Sequence, residues 1–208
     1  MSILSALNWR YAVRNFTDEK LNKKIIQELI EATRLSPSAY GLQPYRLVIV
    51  ESRDVRNDLV SHSMGQEKVR DCSHLFVLAT KSKIDTEFIV NHFKMAERQR
   101  NLTASSLSGY TDVVKGIMLS LSETQIQHWA ENQVYFALRN LLTAAALNEV
   151  DACPMAGFDK QGFDDVLNLE QYHLKSTVIC ALGKRDTSDS TALMNKVRIP
   201  SKEFSLVL

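Results

Sequence analysis

This sequence predicts an α+β domain, mostly helix with a few short strands, on three observations. Two stretches carry a helix N-cap followed by apolar residues at helical intervals. Three short apolar runs are rich in β-forming residues. Only 7 glycines and 4 prolines interrupt the 208 residues, and no repeat, low-complexity stretch or linker divides them. One domain over residues 1–208 follows.

In chain order, Asn22 reads as the N-cap of a helix over residues 23–35, with Ile25, Ile26, Leu29 and Ile30 facing a core. Ser36-Pro37 stops it, because the residue before proline avoids the α region. Residues 45–50, 75–80 and 177–182 read as buried strands. Ser122 and Gln125 make a capping box for a long helix reaching about residue 148. Its second half, including Val134, Phe136, Leu138, Leu141, Leu142 and Ala144 to Leu147, is apolar nearly all round. Such a helix must be covered on most sides, by the sheet or by a second subunit. Residues 204–207 alternate weakly and suggest a C-terminal strand.

Composition bounds the function. Hydrophobic residues make up 45% and charged residues 24%, ordinary for a globular protein. At this length a chain buries about 70% of its unfolded surface. A net charge of +1 leaves no electrostatic footprint for nucleic acid or an anionic membrane. No apolar run approaches the ~20 residues that span a bilayer. The N-terminus shows no secretory pattern. Cys72, Cys153 and Cys180 are odd in number and form no C-x-x-C, which points to buried free thiols in a reducing cytoplasm.

Several familiar sites are absent. The glycines form neither G-x-G-x-x-G nor a P-loop. The five histidines share no metal-ligand spacing with one another or with cysteine, so no metal site is expected. There is no G-x-S-x-G. What stands out is charge placement. Arg10 and Arg14 sit in Arg-Tyr-Ala-Val-Arg-Asn-Phe near the start, and Lys196 and Arg198 in Lys-Val-Arg-Ile-Pro near the end. Four permanent cations among apolar neighbours suit a small anion, and a phosphate matches the planar donors of arginine. Between them a helix ends in Ser36-Pro37-Ser38-Ala39-Tyr40-Gly41-Leu42-Gln43-Pro44-Tyr45.

These elements resemble the nitroreductase-like FMN oxidoreductases. RYAVRNF is similar to that family's Arg-rich opening, and SPSAYGLQPY to its SPS…QPW loop, with tyrosine for the usual tryptophan. Pro154-Met155-Ala156-Gly157-Phe158-Asp159 is similar to its P-x-x-G-F-D, and KVRIP to its C-terminal K-x-R-x-P. The four motifs occur in the right order from residue 10 to residue 200. The resemblance implies a central mixed sheet flanked by helices, in an intertwined homodimer whose C-terminal segments pair with the partner's sheet.

Roles follow position by position. The resemblance places Arg10, Lys196 and Arg198 on the FMN phosphate, with Tyr11 and Ala12 beside them. Arg14 and Lys68 fall against the pyrimidine edge of the flavin, where a cation supports the charge of the reduced ring. Gln66, or else Gly65, lies against the same edge. Pro154, Met155, Ala156 and Gly157 present backbone to flavin N5 and the C4 carbonyl. Ser38, Ala39 and Gly41 arrive from the other subunit, while Tyr40 and Leu42 shape the substrate pocket. No side chain is implied as a catalytic acid or base, since the cofactor carries the chemistry. Gly157 also reads as a positive-φ turn residue, Gln43 as structural, Lys68 as a solvated surface residue, and Trp9 and Trp129 as core or interface aromatics. Ala12, Ala39 and Gly41 stand where some family members have polar side chains, and Ala156 where an acidic residue is common.

The implied activity is hydride transfer from NADH or NADPH to quinones, nitroaromatics or similar flat electrophiles, by a ping-pong cycle with FMN. The alternative is an FMN carrier or regulatory protein without turnover.

Overall fold

A computed structural model describes residues 1–208. The helices are α1 (Ile3–Trp9), α2 (Lys23–Arg34), α3 (Arg53–Ser61), α4 (Lys68–Asp71), α5 (Thr86–Gln99), α6 (Ser108–Leu119), α7 (Glu123–Leu147), α8 (Lys160–Val166) and α9 (Ser201–Phe204). The strands are β1 (Tyr45–Val50), β2 (His74–Lys81), β3 (Asp151–Met155) and β4 (Leu174–Gly183), in the sheet order β1-β2-β4-β3.

The capping residues act as their chemistry dictates. Asn22 Oδ1 accepts the Lys24 N–H at 2.8 Å and starts α2. Ser122 and Gln125 satisfy each other's backbone N–H groups, at 2.8 and 3.3 Å, and start α7. Strands alternate between two cores with a period of two residues. Phe76, Leu78, Val178 and Cys180 face α2 and α7, against Leu29, Val134 and Leu141. Leu75, Val77, Ile179 and Ala181 face the other way, against Leu59 of α3, Val69 of α4 and Phe163 of α8. The sheet is therefore covered by helices on both faces. A third cluster, with Ile84, Ile89, Phe93, Val114 and Met118, holds α5 and α6 together.

Two expectations are corrected. The four strands pair antiparallel throughout, rather than in a mixed sheet, and the only parallel pairing is an isolated bridge from Ala12 to Ala152. The C-terminal strand does not form. Phe204 ends a single helical turn, and residues 205–208 form no strand within the chain. The second half of α7 is buried through Val134, Ala137, Leu138, Leu141, Ala145 and Ala146, and its Tyr135 and Phe136 are about half exposed in the single chain. No helix is long and apolar enough to cross a membrane.

Candidate active site

At the edge strand β3 the chain encloses a cavity of about 920 Å³, near the upper end of small-molecule sites. Cys153, Pro154, Met155 and Gly157 form one wall, and Ala12, Arg14 and Asn15 a second. Residues Met64 to Lys68 close a third side, with Thr191 at the rim. Pro154 is tolerated because β3 lies at the sheet edge, where a missing N–H breaks no ladder. Gln66 reaches across to the Gly157 carbonyl at 3.5 Å. Met64 and Gly65 both have positive φ, so the loop turns sharply before Lys68 opens α4.

Arg14 and Lys68 thus meet on one cavity from sequence positions far apart. The carboxylates nearest Lys68 in sequence are engaged elsewhere, Asp71 by Arg70 and Arg53 and Glu67 by Arg70. Lys68 is half-buried and lines the cavity near the Cys153 thiol, rather than standing free in solvent. Gly157 does not have positive φ, so the turn explanation for it fails. A Cβ there would only touch the Met64 thioether, at 3.7 Å. Burial pushes the Cys153 thiol up in pKa, and the Lys68 ammonium opposes that shift.

A second cationic cluster forms where α1 ends. The Nε of Arg10 is buried without a hydrogen-bond partner. Lys196 Nζ donates to the carbonyls of Leu7, at 2.8 Å, and Arg10, so part of its donor capacity caps α1. Arg198 is exposed, with one donor on the Val197 carbonyl at 2.6 Å. Burial lowers the pKa of Arg10, and the charges of Arg198 and Arg139 lower it further. Lys196 is lowered by burial and then by Arg10 and Arg198. Like charges crowd here around a donor with no acceptor, and a bound phosphate relieves both conditions.

Tyr11 does not line the cavity. The Arg185 guanidinium lies over its ring, 4.6 Å from the centroid, and over the Trp9 ring, 4.3 Å from the centroid. Burial pushes the Tyr11 phenol up to about 12. Ala156 is exposed beside Gly157 and does not line the cavity.

The Ser38–Leu42 loop is also outside the cavity of its own chain. Gln133 Oε1 accepts the Ala39 N–H at 2.8 Å, and Ser38 Oγ accepts the Gln43 N–H at 2.9 Å. Gln43 in turn donates to the Arg34 carbonyl at 2.6 Å, so its role is structural. Tyr40 and Gly41 take positive φ in this turn. Leu42, expected in a pocket wall, is only 2% exposed and packs with Ile89, Phe93 and Ala130. A branched apolar side chain at the root of a strained turn is worth more in the core than at a surface.

Asn15, Met64, Glu67, Cys153 and Thr191 line the cavity and Arg139 joins the cationic cluster, yet none was singled out from sequence as a site residue. Met64-Gly65 carried a usable turn signal. Arg139, one polar position on a long helix, carried none.

Residues 7–184 match the model of the nitroreductase family. The chain is 29% identical to a Staphylococcus haemolyticus protein named for a proposed NAD(P)H nitroreductase activity, over 97% of this chain and 95% of that one. Among solved structures it resembles a proposed nitroreductase of Bacillus subtilis, with a TM-score of 0.87, 21% identity and coverage of 99% and 98%. It also resembles a proposed nitroreductase of Exiguobacterium sibiricum solved in complex with FMN, with a TM-score of 0.83, 16% identity and coverage of 100% and 98%. The motifs, the cavity at β3 and the match over most of the chain agree, and the chain belongs to the nitroreductase family.

Proposed function

We propose that this protein is an FMN-dependent NAD(P)H oxidoreductase, one FMN-binding unit over residues 1–208, that reduces quinones, nitroaromatics or similar flat electrophiles. The observation that carries this reading is the convergence of Arg14, Gln66, Lys68, Met155 and Gly157 on one cavity, together with the cluster of Arg10, Lys196 and Arg198, in which the Arg10 Nε is buried without an acceptor. Arg10, Arg198 and part of Lys196 are suited to hold the phosphate. Arg14 and Lys68 are suited to the pyrimidine edge, where two cations favour the charge that develops on reduction. FMN, when bound, accepts a hydride and passes electrons on. The protein excludes water with the apolar wall at β3 and fixes the orientation of both substrates. If one face serves both, NAD(P)H leaves before the oxidant binds, which gives parallel double-reciprocal lines.

The purified protein is expected to be yellow and to carry about one FMN per chain. Anaerobic NADH or NADPH should remove the visible absorbance, and a quinone or nitroaromatic should restore it. A protein that takes up no FMN at micromolar concentration overturns the reading. If FMN binds and dithionite reduces it but neither nicotinamide does, the protein is a flavin carrier.

A homodimer with shared sites is part of the same proposal. Val197, Phe204, Leu206 and Val207 are 77–93% exposed, and Tyr135 and Phe136 of α7 add apolar surface that a lone chain leaves wet. Deleting residues 202–208 is expected to lower both thermal stability and flavin retention. A truncated chain that keeps its flavin and sediments like the full-length protein argues against strand exchange. Three free buried cysteines support a reducing, cytoplasmic setting.

A further inference from the structure

We infer that Asp189 is a positioning residue that locks the Arg14 segment against the cationic C-terminal segment and thereby sets the geometry and potential of the cofactor cavity. The inference rests on the FMN reading above. Asp189 is only 3% exposed. Its Oδ2 accepts the backbone N–H of Arg14 at 2.7 Å and of Asn15 at 3.3 Å. Its Oδ1 accepts the Thr191 N–H at 3.0 Å. One buried carboxylate therefore joins residues 175 positions apart, and Arg14, Asn15 and Thr191 all line the cavity.

The bonding is specific in what it leaves free. The carboxylate is satisfied by three backbone donors rather than by the Arg14 guanidinium, so Arg14 keeps its charge for the cavity. Neighbouring pairings align the same two strips of chain. The Asp186 N–H donates to the Asn15 carbonyl at 2.9 Å, and the Thr17 N–H to the Lys184 carbonyl at 2.9 Å. These tie main chain to main chain and place no charge at the cavity. Asp189 does both, because its oxygens accept the backbone N–H groups of Arg14 and Asn15 at the cavity wall and bring a negative charge to that segment. The residues after it lead into Lys196 and Arg198, so the same carboxylate joins the Arg14 segment to the stretch that carries those cations.

The test uses full-length Asp189→Ala and Asp189→Asn, with Asp186→Ala as a control in the same loop, where the tie to Asn15 is main chain to main chain. FMN affinity is read by fluorescence titration of flavin-stripped protein, thermal stability without flavin by unfolding, and the reduction potential of bound flavin by spectroelectrochemistry. Asp189→Ala is expected to weaken FMN binding at least tenfold, and Asp186→Ala less than twofold. Asp189→Asn keeps an acceptor for Arg14 but removes the charge. It is expected to lose less affinity while shifting the potential of the bound flavin to a more positive value. If Asp189→Ala fails to fold, the potential of Asp189→Asn decides. Lower thermal stability with unchanged FMN affinity and unchanged potential means the contact is merely structural, and overturns the inference. Failure of the unmodified protein to bind FMN overturns the functional reading itself, which is a separate outcome.

Discussion

Replacing Arg10 or Arg198 by alanine is expected to weaken FMN binding roughly 10- to 150-fold, the equivalent of about 1.5–3 kcal/mol for one charged hydrogen bond. Arg10 should lie at the upper end. Its Nε is buried and has no protein acceptor, so the bound state is where that donor is satisfied. Arg198 should lie nearer the lower end, since its guanidinium is exposed and water competes for it. Removing either cation also relieves the crowding that lowers the pKa of Lys196, which partly offsets the loss. Fluorescence titration of flavin-stripped protein measures both constants. Unchanged affinity in both variants means that the phosphate is held elsewhere, and directs attention to Arg139.

The elements legible in the sequence were those whose signals are local. Asn22 and Ser122 mark helix starts by their own side-chain bonding, and three strands declared themselves as apolar β-forming runs. β3 was not legible, because Asp-Ala-Cys-Pro-Met is short and its proline counts against a strand unless the edge position is known. The helices α5 and α6 were missed since their apolar faces pack mainly on each other, and the alternation is diluted by charges.

The candidate site divides along the same line. Arg10, Arg14, Lys196 and Arg198 were visible because permanent charges flanked by apolar residues are uncommon and because the motifs around them are familiar. Leu42 was misassigned, since its place beside the loop could not reveal that its side chain turns inward. Asp189 and Asp151 were invisible for a different reason. Each acts on residues more than thirty positions away, and an aspartate in a polar stretch looks like any surface acid until the fold brings its partners in.

Asp151→Ala is expected to destabilise the protein by about 3 kcal/mol, at the lower end of the range for breaking a buried ion pair. Asp151 is 4% exposed. Its Oδ2 accepts the Arg185 backbone N–H at 2.7 Å and its Oδ1 the Arg185 Nε at 2.8 Å. Arg185 Nη2 lies 2.6 Å from the same Oδ1, a charge contact added to the aligned bonds. Without the carboxylate, the guanidinium stays against the Trp9 and Tyr11 rings with its charge uncompensated. Partial exposure of the Arg185 side chain, 26%, keeps the penalty from reaching its upper limit. For a chain of this size such a loss lowers the unfolding midpoint by roughly 6–12 °C. Asp151→Asn retains an acceptor and should lose less. The cost should also reach the cofactor, because Trp9 and Tyr11 flank Arg10 and their stack on Arg185 fixes the end of α1. Thermal unfolding with and without excess FMN measures both effects. A shift below 2 °C for the alanine variant means that the guanidinium finds water when the carboxylate is gone, and that the stack rather than the ion pair anchors the end of α1.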